Sequence, residues 1–343
     1  MQTYTLKIIE IRNETADTLT LCFKQPGLRK IKYRAGQYLT LIFRINGRRY
    51  VRPYSFSSAP AVDSLLEITV KRVPNGLISN HIHDMVKVGD SIEVMQPMGD
   101  FVCEENTAEV LLWGVGSGVT PLVSIAKQLL STHESVKVNL IYGNKNQEST
   151  IFFEIIKQLE KAYPERFFVK HFHTQFKINP NIPGLIEGRI SQDKAATLID
   201  EINPLPSAKH FICGPAGLKR SVKTALKLAG FDDELIFAED FELVKDPKDF
   251  EDVDTQNIQL KFGSRQFDLE VIKGKSILES ALDAGIELPY SCQTGSCSTC
   301  KGKLLNGKAK MIGLTKDRED LTTDEYLTCC TYPLSNNVYI EIA

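Results

Sequence analysis

Leu288-Pro289-Tyr290-Ser291-Cys292-Gln293-Thr294-Gly295-Ser296-Cys297-Ser298-Thr299-Cys300 sets three cysteines in the spacing C-x4-C-x2-C, and Cys329, with Cys330 beside it, follows further along the chain. Disulfides suit small secreted domains, whereas this chain runs to 343 residues and opens on MQTYTLKIIE, without the apolar core of a signal peptide. Metal ligation is the better reading. The x4 gap, the lone distal cysteine and the lack of a nearby histidine fit thiolates on a pair of irons rather than a zinc knuckle. The small residues Thr294, Gly295, Ser296, Ser298 and Thr299 let backbone amides approach the sulfurs.

Outward from that loop the chain divides into three folding regions and a tether. Residues 1–105 carry short β-rich runs, Thr18 to Phe23, Tyr38 to Arg44 and Leu65 to Lys71, punctuated by Asn46-Gly47 and Pro74-Asn75-Gly76. They predict a small antiparallel β-barrel. Residues 106–241 alternate apolar strands with helical runs, as in Glu109 to Trp113, Pro121 to Leu130 and Val136 to Tyr142, which predicts a doubly wound α/β domain. Residues 242–256 are acidic, include a proline and lack apolar periodicity, the pattern of a solvated tether. Residues 257–343 open with two alternating runs and an amphipathic helix, Ser276 to Ala284, before the cysteines, predicting an α+β domain.

A formal charge of −2 gives no electrostatic footprint for nucleic acid or an anionic membrane. No apolar run approaches the roughly 18–20 residues of a membrane span. A cytoplasmic protein is the expectation.

Two further motif sets carry chemistry. Arg52-Pro53-Tyr54-Ser55 ends a barrel strand: a guanidinium can neutralise a phosphate, a tyrosine can stack on a flat heterocycle, and a hydroxyl can hydrogen-bond beside it. Gly76-Leu77-Ile78-Ser79 reads as a turn into a helix whose free N–H groups can bind phosphate. Gly114-Val115-Gly116-Ser117-Gly118-Val119-Thr120-Pro121 lies between a strand and a helix. There glycines admit a pyrophosphate, Thr120 can cap and Pro121 suits the first helical turn. His81 with His83 and His171 with His173 lack the spacing of a recognised metal site.

These residues carry a resemblance. The cysteine loop, its LPYSC lead-in and the LTC-x-x-YP ending resemble plant-type [2Fe-2S] ferredoxins, which implies a β-grasp domain with Cys292, Cys297, Cys300 and Cys329 as ligands. Arg52-Pro53-Tyr54-Ser55 and Gly76 to Ser79 resemble the flavin signatures of the ferredoxin–NADP reductase superfamily. The resemblance implies FAD, with Arg52 on a phosphate, Tyr54 stacked on the ring, Ser55 near N5, and Val70 and Lys71 in backbone contact. Cys213-Gly214-Pro215 resembles the motif whose cysteine lies beside nicotinamide, and Glu239 stands where relatives place a glutamate at that edge. Lys145, just beyond the second strand, leans the expectation to NADPH, with NADH the alternative.

In the order flavin, nicotinamide, ferredoxin, the chain is similar to reductase components of multicomponent oxygenases, particularly those serving phenylacetyl-CoA oxygenases. The resemblance implies electron flow from NAD(P)H through FAD and the cluster to a separate oxygenase or other one-electron acceptor protein. A reductase of another oxygenase or a desaturase, or a redox sensor without turnover, is the alternative.

Overall fold

In the computed structural model, which describes residues 2–27, 30–104, 106–175, 184–243, 245–314 and 318–342, contacts concentrate in two compact units. One holds residues 1–42 and 54–240, the other residues 43–53 and 241–343.

The first unit begins with an antiparallel sheet of β1 (Thr3–Thr15), β2 (Thr18–Phe23), β3 (Tyr38–Ile45), β4 (Arg48–Ser55), β5 (Leu66–Lys71) and β6 (Ser91–Met95), ordered β4-β3-β6-β1-β2-β5. The hairpin tip of β3 and β4, residues 43–53, is counted with the second unit. Immediately after β4, Phe56 bridges Ile68 of β5 and Ser57 N donates to Glu67 O at 2.9 Å, so the two edge strands meet. This closure satisfies edge backbone groups that would otherwise stand open. Helix α1 (Leu77–Met85) follows β5.

The same unit continues as a parallel sheet of β7 (Glu109–Val115), β8 (Lys137–Asn144), β9 (Phe167–His173), β10 (Ile186–Glu187), β11 (Lys209–Cys213) and β12 (Ile236–Glu239), ordered β10-β9-β8-β7-β11-β12. Alternate residues of β7 feed opposite layers because strand side chains have period two. Val110 and Leu112 pack with α2 (Val119–Thr132) and α3 (Phe153–Ala162), while Leu111 and Trp113 pack with α4 (Gln192–Ile202) and α5 (Ala216–Leu228). Truncating a fully buried side chain such as Leu112 to alanine would cost about 2–5 kcal/mol. Helix α2 also reaches the barrel: Ser124 Oγ donates to Ser58 O at 2.6 Å, and Lys127 Nζ pairs with Asp63 at 2.9 Å.

In the second unit, β13 (Gln256–Phe262), β14 (Arg265–Val271), β15 (Lys301–Asn306), β17 (Glu325–Leu327) and β19 (Tyr339–Ile342) form a mixed sheet ordered β14-β13-β19-β15-β17. Strands β16 (Ala309–Met311) and β18 (Thr331–Pro333) pair separately. Helix α6 (Ile277–Asp283) starts at a capping box in which Ser276 Oγ accepts from Glu279 N at 3.1 Å and Glu279 Oε2 accepts from Ser276 N at 2.7 Å.

The tether departs from expectation in its second half. Val253 is buried in a cluster with Ile312 and Tyr332, and Phe250 meets the Tyr332 ring edge-on at 4.9 Å. Two apolar residues three apart are too sparse to register as periodicity, yet they suffice to bind this stretch to the unit that follows it.

Candidate functional site

Three of the candidate residues converge at the carboxyl ends of strands in the first unit. Cys213 ends β11 and Glu239 ends β12, where parallel pairing makes them register partners. Ser55, the last residue of β4, donates from Oγ to Glu239 Oε2 at 3.5 Å. The Cys213 thiol is wholly buried, and burial followed by the nearby Glu239 carboxylate pushes its pKa upward, so it remains protonated.

The glycine-rich loop arrives at the same place. Gly116 has φ +55° and Gly118 precedes α2 with no side chain capping the helix N-terminus. A Cβ on Gly118 would stand 2.1 Å from Cys213 O, so only glycine lets this backbone pass. Uncapped N–H groups at a bare glycine turn are what a pyrophosphate needs. Thr120 corrects the sequence reading: it lies inside the helix and spends its hydroxyl on Ser117 O at 2.8 Å rather than capping. Pro121 sits in the first helical turn, as expected. Gly214, at φ +156°, and Pro215, the residue preceding α5, continue the turn beyond Cys213. Lys145 is exposed just past β8, its carbonyl accepting from Gln175 N at 2.7 Å.

Of the flavin candidates, Tyr54 is half-buried beside Ser55. Val70 is fully buried and its carbonyl lies 3.1 Å from His83 Nε2, while Lys71 Nζ pairs with Asp17 at 3.2 Å. Their side chains are therefore engaged within the barrel. Gly76 precedes α1 without a side-chain cap, and a Cβ there would lie 2.7 Å from Ser79 Oγ. Leu77, Ile78 and Ser79 form the first turn, whose N–H groups can hold a phosphate. Arg52, also half-buried, directs Nη1 to Val51 O at 2.8 Å within the second unit.

The cysteines form two pairs. Cys292 Sγ accepts from Thr294 N at 3.4 Å and from Cys297 N at 3.3 Å. The Cys297 thiol and these amides pull the Cys292 pKa down from the ordinary thiol range. Cys300 contacts Cys329 in the same way, raising the Cys300 pKa. Among the described residues no three ligating side chains converge on one point. Two pairs of thiols suit a two-iron cluster, which takes two thiolates on each iron. Cys330 Sγ donates to Leu327 O at 3.4 Å and also lies against the Cys329 thiol.

Other contacts carry no local sequence signal. Tyr290 and Gln293, flanking Cys292, reach Val51: Val51 N donates to Tyr290 Oη at 3.1 Å, and Gln293 Nε2 donates to Val51 O at 3.3 Å. Lys219 on α5 forms a buried ion pair with Asp240, the residue after Glu239. Arg318 grips the cysteine loop itself. Each joins residues distant in the chain, so only the fold reveals it.

Comparison with known proteins identifies the domains that these residues lie in. Family models match an oxidoreductase FAD-binding domain over residues 5–103, an oxidoreductase NAD-binding domain over 112–224 and a 2Fe-2S iron-sulfur cluster binding domain over 262–334. The ferredoxin reductase component of a 3-ketosteroid-9-alpha-monooxygenase from Rhodococcus rhodochrous is 32% identical across 98% of this chain and 96% of its own. A 1,2-phenylacetyl-CoA epoxidase subunit from Escherichia coli is 30% identical across 98% of this chain and 97% of its own. Phthalate dioxygenase reductase shares the fold at a TM-score of 0.68 and 22% identity, covering 99% of this chain and 98% of that one.

Proposed function

This chain belongs to the ferredoxin–NADP reductase superfamily, among the oxygenase reductases that carry a ferredoxin domain, and on that premise we propose that Ser55, Cys213 and Glu239 form its hydride-transfer site. It is an NAD(P)H-dependent oxidoreductase that uses FAD and a [2Fe-2S] cluster to feed electrons to an oxygenase system. The observation that carries the site is the 3.5 Å contact between Ser55 and Glu239, with Cys213 as the strand partner of Glu239.

FAD held by these residues would supply the exchange between a two-electron hydride and single electrons for the cluster, a conversion no side chain can perform. The residues do the positioning. The Glu239 carboxylate lies within hydrogen-bond reach of the Ser55 hydroxyl, which can turn its one proton to an acceptor nitrogen at the edge of oxidised flavin. The neutral Cys213 thiol, buried in the core, backs the strand end beside which a nicotinamide ring can rest. Arg52 neutralises a flavin phosphate, Tyr54 stacks on the ring, Val70 and Lys71 contribute backbone, and the turn from Gly76 through Leu77 and Ile78 to Ser79 takes the remaining phosphate charge.

Gly116, Gly118, Thr120 and Pro121 shape the pyrophosphate loop, and Gly214 and Pro215 turn the chain away beneath it. Lys145 stands where a cation would accept a 2′-phosphate, favouring NADPH over NADH. Cys292, Cys297, Cys300 and Cys329 hold the cluster. For the acceptor, identity of 30% to the phenylacetyl-CoA epoxidase component across nearly the full chain supports an oxygenase of that type. The ketosteroid reductase component, at 32%, makes a steroid monooxygenase the second candidate.

Stopped-flow mixing with NADPH under anaerobic conditions tests the reading. Rapid bleaching of flavin absorbance followed by reduction of an added one-electron dye is expected. Cofactors that remain oxidised would indicate a protein that holds them without turnover. Reduction of each purified candidate oxygenase then distinguishes the acceptors.

A further inference from the structure

Arg318 lies 21 residues beyond Cys297, yet its guanidinium closes on the cysteine loop. Nη1 donates to the carbonyl oxygens of Gly295 and Cys297, the latter at 3.4 Å, and Nη2 donates to Ser298 Oγ at 2.7 Å. Through Nε and Nη2 the same group forks onto Asp320 at 2.7 and 2.8 Å, and Ser298 Oγ donates to Asp320 Oδ2 at 3.2 Å. Arginine alone supplies enough fixed donors to make all these bonds from one planar head.

The two charges are not equally placed. The Arg318 side chain is 13% exposed and the Asp320 side chain 57%. Water screens the carboxylate, whereas the cation faces the loop in a poorer dielectric, so the pair leaves a net positive field at the cysteines.

We propose that Arg318 is a charge clamp that raises the reduction potential of the iron–sulfur cluster. This rests on the reading that Cys292, Cys297, Cys300 and Cys329 hold that cluster. One electron from reduced flavin adds one negative charge to the cluster and breaks no bond. A fixed cation nearby favours the reduced state, as do hydrogen bonds to the sulfurs. By holding the Gly295 and Cys297 carbonyls on its own N–H groups, Arg318 also keeps the loop in the shape that directs Thr294 N and Cys297 N at Cys292 Sγ. Arg318 is thus a positioning and tuning residue for electron transfer.

The test is an anaerobic redox titration of the full-length, flavin- and cluster-loaded protein, followed by visible and EPR spectra. Arg318→Gln should shift the one-electron equilibrium on the order of tenfold toward the oxidised cluster, or ~59 mV downward. Arg318→Lys should recover part of the shift, because an ammonium keeps the charge but not the fork. Asp320→Asn should move the potential upward, since it removes the opposing charge. An unchanged potential in Arg318→Gln with normal cluster spectra overturns the proposal, as does an unchanged or lowered potential in Asp320→Asn. If Arg318→Gln does not take up the cluster, the direction of the Asp320→Asn shift decides alone. A parent protein without any cluster signal would instead overturn the underlying assignment.

Discussion

Gly118 passes Cys213 so closely that a methyl group on its α-carbon would stand 2.1 Å from the Cys213 carbonyl oxygen. The glycine-rich loop and the end of β11 are therefore packed backbone to backbone, with no room for a side chain between them. Gly118→Ala should force the two apart at a cost of about 1–3 kcal/mol, the range for overpacking. The expected result is a raised KM for NADPH with flavin content unchanged, read from steady-state dye reduction and flavin absorbance.

Ser55→Ala removes the hydroxyl that meets Glu239. With one hydrogen bond worth about 1–1.5 kcal/mol, flavin reduction by NADPH should slow about tenfold. The cluster spectrum should stay intact. An unchanged stopped-flow rate would remove Ser55 from the hydride site.

Lys219 and Asp240 expose only 9% and 12% of their side chains, so each is the other's main compensation for burial. Lys219→Met leaves a buried carboxylate without its cation, at a cost of about 3–5 kcal/mol. Lys219→Met with Asp240→Asn should cost less than Lys219→Met alone, because no uncompensated charge remains. Urea unfolding of the single and double variants measures the difference.

His210 gives the fold a pH dependence of definite sign. It is wholly buried, accepts at Nδ1 from Trp113 Nε1 at 3.5 Å, and packs edge-on against Phe231 at 4.4 Å. Burial pulls its pKa from the ordinary 6.5 down to about 3. The unfolded chain takes up a proton as pH falls through about 6.5 while the folded chain does not, so stability is complete above that pH and declines below it. The loss from this one residue should be about 2 kcal/mol by pH 5. Trp113 is the sole tryptophan, so its fluorescence follows unfolding of this region directly. His210→Phe should flatten the slope between pH 7 and pH 5.

Much of this is legible without coordinates. The cysteine spacing, the Arg52 to Ser55 run and the loop at Gly114 to Pro121 are local patterns whose chemistry depends on neighbours in sequence. Glu239 is less legible because its meaning comes from β12, a strand of only four residues, and from pairing with Cys213. Thr120 misleads for a related reason: the helix starts at Val119 with Gly118 as its N-cap, two residues earlier than a capping Thr120 requires. Phe250 and Val253 resemble tether residues until Tyr332 and Ile312 are brought beside them. Arg318 has no signal at all, since an arginine among acidic residues reads as solvated until the loop closes beneath it.

The most direct test of electron flow from nicotinamide through flavin to the paired cysteines is an anaerobic NADPH titration of the loaded full-length protein, followed by visible and EPR spectra together. Flavin bleaching accompanied by the EPR signal of a one-electron-reduced [2Fe-2S] cluster is the predicted result. Bleached flavin with a cluster that stays oxidised, or a polypeptide that remains colourless after reconstitution with iron, sulfide and FAD, would contradict it.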